Sequence, residues 1–151
     1  MKNLFFIICY VAFIGAFAQD TKQATMEKRA RELHRVIGLN DKEQWKKFMN
    51  ENYTKSFLER PVRTTVKTTD KESTTSSSAK STTEIFEEKL KIFERLHESF
   101  GKSKIISLKP VDEKIEMTIE NSSKARGNFS ITFENKKPYL IDGVRAEVIQ
   151  P

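Results

Sequence analysis

Cysteine is almost missing from this chain: Cys9 is the only one in 151 residues. It falls within the first 18 residues, which read as a leader that is removed. The remaining chain then has neither a disulfide nor a thiolate, which excludes the small disulfide-stapled toxins and growth factors. Histidine is nearly as scarce. His34 and His97 are the only two, with no histidine one turn away and no clustered cysteine, so no metal ligand set is expected. No Lys/Arg run interleaves with exposed aromatics. The net charge of +6 is scattered and reads as a solubility surface, with no nucleic-acid footprint. Nor is any apolar run long enough to span a bilayer comfortably. The longest, Leu4–Phe17, follows a short basic start at Met1-Lys2-Asn3 and ends at Ala16-Phe17-Ala18. That order is a secretory signal peptide cut before Gln19, so residues 1–18 are expected to be removed and the chain exported, periplasmic or secreted, with no membrane insertion afterwards.

What is present begins with helical periodicity. Met26, Ala30, Leu33 and Ile37 recur at steps of four, three and four, predicting a helix from Thr21 to Gly38 with a Schellman ending at Gly38-Leu39. Asn40 and Glu43 have capping-box spacing. Trp45, Phe48, Met49, Tyr53 and Phe57 then mark a second helix to about Leu58, ended by Pro61. The clearest element is Ser81–Gly101. Ser81 and Glu84 form a capping box, and Ile85, Phe86, Leu90, Ile92, Phe93, Leu96 and Phe100 make one broad apolar stripe. Gly101 is expected as a left-handed cap. Thr64–Thr83 differs in kind: thirteen of its twenty residues are Ser or Thr and none is aromatic. A flexible insertion at about 62–82 is expected, with room for a short strand at its start.

From Lys104 onward the period is two. Ile106 and Leu108 alternate until Pro110. Ile115, Met117 and Ile119 share one phase, as do Phe129, Ile131 and Phe133. Ile141 continues it, and Val144, Ala146 and Val148 do so only if Asp142-Gly143 forms a bulge. The expectation is an α+β fold over residues 19–151. Its N-terminal helices pack on one face of a curved, mainly antiparallel four-stranded sheet whose other face is wet.

Three stretches carry a resemblance: W-K-K-F-M-N-E-N-Y at Trp45–Tyr53, F-E-R-L-H-E-S-F-G at Phe93–Gly101 and P-Y-L-I-D-G-V-R-A-E-V at Pro138–Val148. Together with the element order they resemble small secreted bacterial domains of the NTF2-like (cystatin-like α+β) superfamily, found alone or beside β-lactamase-type serine hydrolases. The resemblance covers about Asp41–Gln150 and rests on packing motifs. It implies a conical fold, often with a pocket between helices and concave sheet. Enzymes of the ketosteroid-isomerase kind place an acid and base in such a pocket.

The inner sheet face read from this sequence offers apolar residues, while Glu116, Glu120, Glu134 and Glu147 fall on the opposite face and Glu113 at the rim. Catalysis of the isomerase kind needs a carboxylate and a donor in a dry cavity. A non-enzymatic accessory domain is therefore expected, without cofactor or metal. It would engage a protein partner, a second copy through the sheet's wet face, or a small apolar ligand. Tyr53, His97, Phe129 and Tyr139 are the residues expected to line any pocket. The competing expectation is a small isomerase or hydrolase using His97 with Tyr53 or Tyr139. The S-x-x-K matches at Ser77–Lys80 and Ser99–Lys102 lack the buried helix that chemistry requires.

Overall fold

A computed structural model describes residues 21–68, 71–76 and 81–149, with the backbone alone over 64–68 and 71–76. The leader reading of residues 1–18 lies outside the described residues. The first helix, α1, covers 21–37. It buries Met26, Ala30, Leu33 and Ile37, the stripe its spacing predicts, and Val36 beside them. α2 (Lys42–Asn52) starts one residue later than its capping pattern suggests. Asp41, not Asn40, is the N-cap, its carboxylate accepting from the Glu43 and Gln44 amides. The following helix does not run through. Tyr53 breaks it by making a parallel bridge with Ile141, and Thr54 caps a separate short helix, α3 (Lys55–Glu59).

The Ser/Thr-rich tract, read as unpaired apart from a short strand at its start, instead forms a hairpin. β1 (Arg63–Thr68) pairs antiparallel with β2 (Lys71–Ser76) from Arg63↔Ser76 to Thr68↔Lys71. Threonine's branched Cβ suits a ladder even where little apolar surface is available. These two strands form their own sheet.

α4 (Thr82–Phe100) carries the expected capping box, the Ser81 hydroxyl accepting from the Glu84 amide and the Glu84 carboxylate from the Ser81 amide. Its two terminal expectations differ from the structure. Gly101 is right-handed, with φ −57°, and no described glycine has positive φ, so neither Gly38 nor Gly101 is a left-handed cap. Close approach explains Gly101 instead: a Cβ there would lie 2.7 Å from both the Nδ1 and the carbonyl oxygen of His97.

β3 (Ser103–Val111), β4 (Lys114–Asn121), β5 (Arg126–Phe133) and β6 (Ile141–Ile149) form an antiparallel meander in the order β3-β4-β5-β6. The sheet is open, not closed into a barrel, and the helices lie against one face. Ile115, Met117, Ile119, Phe129, Ile131, Phe133 and Ile141 are buried beneath them. Two register shifts matter. Asp142 is the extra residue of a bulge opposite Thr132 and Phe133, as the spacing of Val144 requires. A second shift between Ile105 and Ser107 overturns the expected β3 phase: Ile105 and Leu108 face the core and Ile106 is turned out, 46 % exposed. The expected inner face also ends early. Val144 packs on the core, but Ala146 and Val148 are exposed.

Candidate functional site

The four expected pocket residues are each committed to different surroundings. His97 projects from α4 with its Nδ1 2.9 Å from the Ile37 carbonyl. A carbonyl can only accept, so Nδ1 carries the proton. This bond ties α4 to the end of α1. Tyr53 ends α2 at 6 % exposure, edge-on to Phe48 and Phe57. Burial pushes its phenol pKa up. Phe129 is 1 % exposed on β5, opposite Met117 and Ala146. Tyr139 is half-buried in the turn before β6, at φ 56°, its amide donating to the Lys136 carbonyl. The Lys22 ammonium stands 5.8 Å from its ring centre.

The space between His97 and Tyr53 is filled by other rings. His97 is 6.1 Å from Trp45, Trp45 is 6.1 Å from Phe93, Phe93 is 6.2 Å from Phe48, and Phe48 is 5.7 Å from Tyr53. Trp45, Phe48 and Phe93 are each 3 % exposed. The Trp45 indole is fixed by donating to the carbonyls of Val36 and Leu39 at 2.8 and 3.0 Å. No reacting atom can approach both His97 and Tyr53 without displacing this stack. A shallow open groove of about 450 Å³ along α1 is lined by Ala24, Glu27, Lys28, Arg31, Glu32 and Arg35. None of the four candidates borders it.

Polar groups other than these four hold the layers together. Lys89 sits within α4's apolar stripe, 5 % exposed. Its ammonium donates to the Leu58 and Arg60 carbonyls at 3.2 and 2.5 Å and lies 5.5 Å from the Phe57 ring centre. Burial, reinforced by the Arg60 charge, lowers its pKa to about 8. The spacing contains the signal: Lys89 is one turn after Ile85 and one before Phe93, which places it on the buried face. At the other end of α3, the Asp142 carboxylate accepts from Thr54 Oγ1 at 2.6 Å and Ser56 Oγ at 2.9 Å, and pairs with Arg60 at 3.7 Å. Those hydroxyls, Thr54 first, hold its pKa below the usual carboxylate value. Arg29 joins α1 to Asn52 of α2 and to the Pro138 carbonyl. His34 meets Ser103 Oγ at 3.1 Å, and burial lowers its pKa.

The wet face departs from its expectation at one point. Glu120 points outward as the alternation requires, yet it is 7 % exposed, covered by ion pairs to Arg126 at 3.2 Å and Lys124 at 3.3 Å. Elsewhere Ser130 donates to Glu116 and Thr118 to Asn128 across the strands. Among the described residues no group of three His, Cys, Asp or Glu is placed to hold a metal ion, and no helix is long and apolar enough to cross a membrane. Comparison of the chain with protein-family models, curated proteins and solved structures found no match.

Proposed function

We propose that this chain is an exported, non-catalytic binding domain of NTF2-like type that engages a protein partner through its surface. The observation that carries the reading is the run of Trp45, Phe93 and Phe48 rings occupying the interior between His97 and Tyr53. A pocket enzyme would need those two groups to share a cavity, and a carrier of apolar ligands would need the same volume empty. Here His97 is spent on the Ile37 carbonyl and Tyr53 on ring packing. The sheet, by contrast, leaves polar rows and an exposed end on its surface. Export rests on the leader-like first 18 residues, and the NTF2-like assignment on the order of helices, hairpin, helix and meander.

The test is titration of the native chain with 1-anilinonaphthalene-8-sulfonate and with a steroid such as androstenedione. A filled interior leaves the dye's emission near its buffer value and the steroid unbound. One-to-one binding of either, lost on replacing Phe48 or Phe93 by a polar residue, overturns the reading.

A further inference from the structure

The two edges of the sheet are unlike. On β3, the bulge at Ile105–Ser107, the exposed Lys104 and Lys109 and the imino nitrogen of Pro110 all discourage another strand. β6 has its bulge at Asp142, near its start, and from Gly143 to Ile149 it carries no proline and charges of both signs, Arg145 and Glu147. Tyr53 and Thr54 cover its first residue, but among the described residues no strand lies along the rest of that edge. Val148 and Ile149 there are 48 and 47 % exposed.

The backbone parity of this edge follows from the register. The Phe133 amide donates to the Glu113 carbonyl across to β4. Alternation then turns the main-chain groups of Thr132, Ser130 and Asn128 toward β6, where they face Gly143, Arg145 and Glu147. Val144, Ala146 and Val148 are left with their amides and carbonyls on the open side. In a symmetric antiparallel pairing of two copies these three residues must oppose one another. Centring on Arg145 sets arginine against arginine. Centring on Glu147 sets glutamate against glutamate. Centring on Ala146 sets Arg145 opposite Glu147 of the second copy, twice by symmetry, and Val144 opposite Val148. This register also uses all three free residues on each side, for roughly six backbone hydrogen bonds. It places Gly143 across from Ile149. Nothing in the single chain demands glycine at 143: its φ is not positive, and an added Cβ would meet nothing closer than Thr132 Cβ at 3.7 Å.

We propose that two copies of this chain associate edge to edge through β6, antiparallel about a two-fold axis at Ala146, joining their four-stranded sheets into one. This inference rests on the binding-domain reading and names a second copy as the partner. It replaces contact through the wet face with contact through the edge.

The experiment is sedimentation equilibrium of the purified full chain from micromolar to about millimolar concentration, with four variants. The parent is expected to dimerise within that range. Arg145→Glu and Glu147→Arg each place like charges at both symmetric pairs and weaken association at least about tenfold. The double exchange restores it to within about threefold of the parent. Ala146→Pro removes a free-edge amide and is expected to stay monomeric with unchanged circular dichroism. If the proline variant misfolds, the charge exchanges still decide. A parent that remains monomeric at millimolar concentration, single exchanges without effect, or a double exchange that fails to recover would each overturn the edge dimer. Dye and steroid binding, read separately, distinguishes that failure from failure of the binding-domain reading.

Discussion

Replacing Lys89 by methionine probes how the helical layer is fastened. The side chain keeps its length and loses its charge. In the native chain the Lys89 ammonium reaches the last carbonyls of α3, Leu58 and Arg60. Hydrogen bonds from a charged donor contribute about 1.5–3 kcal/mol each, against the cost of drying the ammonium. That cost is visible in its pKa, lowered from 10.5 to about 8. At about 1.4 kcal/mol per unit the drop corresponds to roughly 3 kcal/mol, and halving it for solvent screening leaves about 2 kcal/mol. Two such bonds less that cost leave about 1–4 kcal/mol, the loss expected for Lys89→Met at pH 7. The pH dependence is the sharper test. Between pH 8 and 10.5 the unfolded chain keeps the Lys89 proton that the folded chain has released. The unfolded state then binds more protons, and the parent's stability rises with pH relative to the variant. The neutral amine still donates to both carbonyls. Urea unfolding of parent and variant at pH 7, 8, 9 and 10 should show the gap widening by about 2 kcal/mol. Taking the difference cancels Tyr53, whose buried phenol acts oppositely in alkali. A gap that stays constant or narrows would refute the account of Lys89 as a buried, partly desolvated tether.

Three further outcomes are expected. His34→Gln should flatten the loss of melting temperature below pH 6.5, because burial lowers the His34 pKa and the unfolded chain takes up that proton first. Asp142→Asn should remove part of the acid destabilisation below about pH 4, since the depressed carboxylate stabilises the fold above that value and stops doing so as it is protonated; guanidinium unfolding at pH 7 and pH 3 would show it. Trp45→Phe should cost about 1–3 kcal/mol by thermal melting, because it strips the Val36 and Leu39 carbonyls of their buried donor.

Periodicity was sufficient for the α+β class. The stripe Met26–Ile37 and the alternations at Ile115–Ile119 and Phe129–Phe133 bury the residues they single out, whereas along Ile85–Phe100 Ile85, Leu90, Phe93 and Phe100 are buried and Phe86, Ile92 and Leu96 half-buried. What escaped it was decided by contacts distant in sequence. The break at Tyr53 needs Ile141, 88 residues away, as its bridge partner. The phase of β3 depends on a bulge that nothing local announces, so Ile106 and Ile105 exchange faces. The hairpin at Arg63–Ser76 forms from a tract whose composition argues for solvation, and its ladder satisfies backbone groups where side chains could not drive collapse. The partner of the candidate site residue His97 is likewise distant in sequence. A histidine beside phenylalanines on a helix looks like a pocket group until the Ile37 carbonyl is found at its ring nitrogen.

The Tyr53–Ile141 bridge also bears on assembly of the chain. The first residue of the last strand is received by a helix end laid down long before it, and the Thr54 amide waits for the Ile141 carbonyl. Halting synthesis short of Ile141 would leave α3 without Asp142 as well, held to the other helices through Lys89. The nine-residue strand β6 thus serves as the clasp of α3, and trimming it should loosen a helix far earlier in the sequence.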